Sequence, residues 1–270
     1  MQTLAKITRR AEVLADDAQC DAAEALMEEA LAAFNPEVAE PHGGLIDAGT
    51  VYAEVSRGRT DLNLRWATYA YRASLTLHGP DSERARRAGN ALATGYDAHG
   101  RYADAIAVRR DLVAIYTELD GADAGTTLDA RICLARSTHG AGHCQQAITA
   151  LLADWHDWSR THGDDHPFGL LALTSVVELL NRCGRTQEAN ALLPHIQAHA
   201  TWSRTPEGAA ILVMIAMNAA NDPNAADHPT VCTGQPPDNA VLRTDRSHRV
   251  VHRRTRSRPR RHASSRPEQP

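Results

Sequence analysis

An all-α fold, a row of antiparallel helix pairs, is predicted for this 270-residue chain by three observations. Glycines recur with a 42-residue step, apolar residues fall at helical spacing between them, and the composition favours alanine and leucine with only 4% aromatic residues. Gly58, Gly100, Gly142 and Gly184 form one series, and Gly79, Gly121 and Gly163 form a second with the same step. A fixed period of this length marks a repeated supersecondary unit.

The apolar positions keep the same phase. Leu92, Leu134 and Val176 correspond, as do Ala93, Ala135 and Val177, and Ala105, Ala147 and Ala189. Within one unit Ala88, Leu92, Ala93 and Tyr96 make one helical stripe, and Ala105, Ile106, Leu112 and Ile115 make another. Each unit is therefore a helix, a tight glycine turn and a second helix. The glycine suits the left-handed residue that closes a helix before the chain reverses. The alanine five positions later lets the two helices approach closely.

Taken in order, the units span about 3–34, 41–77, 79–119, 121–161 and 163–201, with a partial sixth at 205–220. The first has Ala18 where the turn glycine is expected and reads as an N-terminal cap, since terminal repeats are atypical. Asn63 replaces the alanine in the second unit, and Pro194 falls within the second helix of the fifth, so bending or loosening is expected at both. The sixth opens at Thr205-Pro206 and never reaches its turn glycine.

Leu92-Ala93, Tyr96, Gly100, Tyr102 and Ala105 resemble the tetratricopeptide (TPR) pattern L-G-x-x-Y-x-x-x-G-x-Y-x-x-A. The 42-residue period is similar to that of kinesin light chains, and Gly163-Asp164-Asp165-His166-Pro167 resembles the G-x-x-H-P opening of that subclass. The resemblance covers residues 3–220. It implies a right-handed superhelical solenoid whose inner wall is lined by the first helix of every unit. It also implies inward positions at Arg87, Asn90, Thr94 and Asp97, at Asp129, Arg136 and His139, and at Thr174, Glu178 and Asn181. Tyr52 in the second unit and Thr8 and Glu12 in the first complete the set. Polar groups in such a groove suit an extended peptide or a partner helix.

Residues 1–220 hold 28 Asp and Glu against 19 Lys and Arg, whereas residues 221–270 hold 5 against 10. The second segment, ending in Arg253-Arg254-Thr255-Arg256-Ser257-Arg258-Pro259-Arg260-Arg261, lacks the hydrophobicity to offset ordering entropy and is expected to be disordered. Loss of the repeat in mid-unit also fits a shifted reading frame. Its arginines suit nonspecific phosphate contact, although no aromatics are interleaved for base stacking.

The five cysteines include no C-x-x-C pair, and reduced thiols in a cytoplasmic protein are expected. Neither a signal peptide nor a membrane span is predicted, because the longest apolar run, 209–217, is too short to cross a bilayer. His139-Gly140-Ala141-Gly142-His143-Cys144 is the densest group of metal-ligating residues. It falls on the phase of an interhelical turn and lacks a second cysteine, so no metal is expected there. His162 with His166, and His195 with His199, lack the glutamate of a hydrolase motif. Trp66, Trp155, Trp158 and Trp202 read as packing residues.

No phosphate loop, dinucleotide fingerprint or nucleophile elbow is present, so catalytic, cofactor and metal sites are all expected to be lacking. The function expected is a non-enzymatic protein- or peptide-binding scaffold. The alternatives are a ligand-sensing repeat fragment of a transcriptional or ATPase-type regulator and, in another class, nonspecific nucleic-acid association through the arginine tail.

Overall fold

In the computed structural model, residues 3–56 and 60–198 are described, and among them every regular element is α-helical. The helices follow in order as α1 Leu4–Asp16, α2 Cys20–Leu31, α3 Gly43–Ser56, α4 Asp61–His78, α5 Glu83–Ala98, α6 Tyr102–Leu119, α7 Gly125–Gly140, α8 Cys144–His162, α9 Pro167–Arg182 and α10 Thr186–Gln197. They form five antiparallel pairs, as the periodicity predicts, in the all-α TPR-like solenoid that the resemblance implies. Gly58, Trp202, His199, the partial unit at 205–220 and the 221–270 tail lie outside the described residues.

The turns within the first, third, fourth and fifth pairs share one construction. Gly100, Gly142 and Gly184 adopt φ of 68°, 87° and 70°, the left-handed region open to a residue without Cβ. The next residue's N–H then reaches back along the first helix: Arg101 donates to the Tyr96 carbonyl at 2.8 Å, His143 to Thr138 at 3.1 Å, and Arg185 to Leu180 at 2.9 Å. These bonds satisfy carbonyls that the ending helix leaves without partners. The first pair makes the same turn without glycine. Ala18 is held at φ 61°, and Gln19 donates to the Leu14 carbonyl at 2.8 Å.

Closely packed small residues seat each second helix. Ala105, Ala147 and Ala189 are fully or almost fully buried, as the phase predicts. Asn63 at this position is also fully buried, but α4 is not loosened by it. Its side chain closes a capping box: Asn63 Oδ1 accepts from the Thr60 N–H at 3.0 Å and from the Thr60 hydroxyl at 2.6 Å. The helix α10 likewise continues through Pro194 to Gln197, giving up only the bond that an N–H at position 194 would make to the Asn190 carbonyl.

Apolar side chains gather into three clusters. One joins α1 to α4 through Ala11, Met27, Ile46 and Trp66, and a second joins α3 to α6 through Ala53, Leu64, Leu92 and Tyr96. The third joins α7 to α10 through Leu128, Leu151, Leu173 and Ile196. Trp155 and Trp158 pack with the third cluster and Trp66 with the first, the roles expected of them.

Ala18 is exposed, so a change there acts through the backbone alone. Holding an L-residue left-handed costs about 1–2 kcal/mol. Ala18→Gly is therefore expected to stabilise the chain by about 1 kcal/mol in urea unfolding, while Gly142→Ala destabilises it by a similar amount.

Candidate functional site

First helices line one side of the array. α1 packs on α3, α3 on α5, and α7 on α9, whereas the second helices pack chiefly on the helices adjoining them in sequence. A cleft of about 400 Å³ opens on this wall between α1, α3 and α5, bordered by Thr8, Glu12, Ile46, Asp47, Arg84 and Arg87.

Charged side chains bridge the three helices. Arg84 forks onto Asp47, with Nε–Oδ1 2.9 Å and Nη2–Oδ2 3.0 Å. Arg87 forks onto Glu54 at 2.9 and 2.7 Å, and its remaining nitrogen donates to Glu12 at 3.0 Å. The hydrogen bonds from Arg87 to Glu54, more than those to Glu12, hold its guanidinium firmly protonated against the opposing effect of burial. Arg84 and Arg87 remain nearly half exposed, at 49% and 46% of their side chains. Such pairs each contribute about 0.5 kcal/mol to stability, which leaves the groups available to a partner at little loss.

Of the wall positions implied by the TPR resemblance, the structure brings Thr8, Glu12 and Arg87 together in this cleft. Asn90, Thr94, Asp129 and Asn181 lie exposed or half-exposed along α5, α7 and α9. Arg136 donates to Glu178 at 2.8 Å and so ties α7 to α9. Three further positions are buried away from the cleft. Tyr52 is 2% exposed in the first apolar cluster, its hydroxyl near Asn63 of α4 and Glu24 and Glu28 of α2, which is the second-helix side. Thr174 is buried and donates its hydroxyl to the Leu170 carbonyl at 2.7 Å, and His139 is buried beside Cys183. Arg84 and Asp47 were not among the implied positions. Arg84 could have been found from its spacing of three to Arg87, which puts both on one helix face.

Asp97 holds the fold. Its Oδ2 accepts from Arg109 Nη2 at 2.8 Å and from the Ser137 hydroxyl at 2.9 Å, linking α5, α6 and α7. The Arg109 side chain is only 8% exposed. Removing the carboxylate leaves a buried cation without its counter-charge, so Asp97→Ala is expected to lower unfolding stability by about 3 kcal/mol, and adding Arg109→Met should restore most of that loss.

On the second-helix side, Trp158, His162, His166 and Phe168 form an aromatic group, with the Trp158 and His166 ring centres 4.9 Å apart. His166 caps α9, its Nδ1 accepting from the Phe168 N–H at 3.3 Å, a bond that requires that nitrogen to be unprotonated. Burial, then the neighbouring His162, depress its pKa, against an opposing pull from Asp165. The depressed folded-state value means that the unfolded chain binds the proton more readily. This contribution is present above the ordinary histidine value of about 6.5 and is lost as pH falls below it through the folded pKa. His166→Asn keeps a capping acceptor and is expected to flatten that part of the pH–stability profile measured by thermal melting.

No protein-family model matches the chain, and no curated protein matches it. Solved structures do. A crystal structure of TPR-like repeats assigned to kinesin light chain in Podosopora anserina superposes with a TM-score of 0.63 at 19% identity, covering 76% of this chain and 99% of that one. A variant of the same repeats gives a TM-score of 0.63 at 20% identity, covering 75% of this chain and 97% of that one. At these identities the likeness is one of fold, and the fold is that of kinesin-light-chain-like TPR repeats.

Proposed function

We propose that this chain is a non-enzymatic scaffold that docks a protein segment on its first-helix wall, with the cleft between α1, α3 and α5 as the principal seat. The observation that carries this reading is the pair of forked arginines, Arg84 and Arg87, exposed side by side across three helices over the buried Ile46. Guanidinium forks recognise carboxylates in a fixed geometry, so an extended segment bearing an acidic side chain can exchange with Asp47 or Glu54, whose displaced carboxylate turns to water. The apolar floor then shields the exchanged pair from water.

Similarity to TPR-like repeats supports a docking role, since stacked helix pairs create extended surfaces of this kind. A site for chemistry would need converging acids, bases or nucleophiles with an open position for substrate, and the cleft presents mutually neutralised ion pairs instead.

The test is affinity capture with the full chain, repeated with Arg84→Ala and Arg87→Ala together. Captured partners should bind the double variant about tenfold more weakly, a loss of about 1.4 kcal/mol, with an unchanged melting profile. Undiminished capture by a folded double variant would remove the cleft from consideration.

A further inference from the structure

We infer that His139, Cys144 and Cys183 form a binding site for a zinc-class divalent cation that staples the fourth helix pair to the fifth. Their ligand atoms, one imidazole nitrogen and two sulfurs, all lie within 4.8 Å of one another. His139 Nε2 is 3.1 Å from Cys183 Sγ. The three residues come from separate places in the fold: His139 from the last turn of α7, Cys144 from the first residue of α8, and Cys183 from the C-cap of α9. Two successive interhelical turns are stacked here, and Gly142 and Gly184, both left-handed, set their direction.

The donor set fits the ion. Zinc takes sulfur at about 2.3 Å and imidazole nitrogen at about 2.0–2.1 Å in a tetrahedron, so donors around it stand roughly 3.4–3.8 Å apart. The observed donors, 3.1 Å apart for one pair and all within 4.8 Å, stand within about an ångström of that spacing. Two thiolates and an imidazole select a soft or borderline cation over calcium or magnesium. Two cysteines, one histidine and an open fourth position also form a known zinc arrangement. His139 and Cys144 are buried and Cys183 half-buried, which limits exchange with water. Binding releases the two thiol protons to solvent, and no change in oxidation state is involved.

A second contact crosses the same turns. Arg185 Nη1 donates to Gln145 Oε1 at 3.0 Å, while its Nε and Nη2 fork onto Glu188 at 2.7 Å and hold the side chain in place. In the sequence the His139–Cys144 stretch lacks a second cysteine; the fold supplies Cys183 from the following repeat.

The experiment is anaerobic titration of the reduced, metal-free full chain with cobalt(II) alone, followed by zinc(II). Expected are the intense visible bands of a tetrahedral ion and near-ultraviolet thiolate-to-cobalt charge transfer, saturating at a single equivalent and abolished by zinc. Cys144→Ser, Cys183→Ser and His139→Gln should each abolish the bands, whereas Cys20→Ser and Cys133→Ser keep them. Alkylation mapping of the unmutated chain gives a readout independent of variant folding: zinc should protect Cys144 and Cys183 selectively. Absence of the cobalt bands, their persistence in both serine variants, protection of other cysteines, or a Cys144–Cys183 disulfide in the reduced preparation would each overturn the inference.

Discussion

The described turns inside the helix pairs each place one residue, Ala18, Gly100, Gly142 or Gly184, in left-handed backbone, and the rest of this structure depends on that constraint. Once the residue is set, the following N–H bonds back to the ending helix, as Arg101 does to Tyr96, and the direction of the second helix is fixed. The alanine seat at Ala105, Ala147 or Ala189 then decides how close the two helices come. Everything on the first-helix wall is aimed by these two local choices, repeated along the chain. Ala18 shows how firm the constraint is, because the turn keeps its form even where the residue must bear the strain.

The wall divides its polar groups between two roles. Near α1, α3 and α5 the arginines pair across helices and stay accessible, so they can change partners. Farther along, Asp97 and Arg109 are withdrawn between helices, and their attraction operates in a medium that screens it less. Arg136 and Glu178 are intermediate, with Glu178 shielded more than Arg136. Similar residue types thus stay accessible in one place and serve cohesion in another, and burial makes the difference.

Much of the fold was legible because glycine and alanine report local backbone and steric demands that travel with the residue. The 42-residue phase therefore located turns and helix seats directly. Orientation between units was less accessible. Thr94 and Tyr52 share the phase, yet Thr94 is exposed and Tyr52 is buried against α2 and α4, because what a helical face meets depends on the offset of the neighbouring pair. Asn63 misleads for another reason: a polar residue in an alanine seat signals loosening unless its partner, Thr60, is recognised as a cap. The grouping of His139, Cys144 and Cys183 was hidden because proximity between repeats leaves no trace in local spacing.

The three apolar clusters have a mechanical consequence. The first two share α3 and α4, while the third begins at α7, so the junction at α6 and α7 relies on Asp97, Arg109, Ser137 and the Tyr102 ring lying over Gly140. Wetting such groups forfeits less than wetting hydrocarbon, because water can replace their hydrogen bonds. Under tension or bending, the array would yield first at this hydrophilic joint, with a six-helix block on one side and a four-helix block on the other.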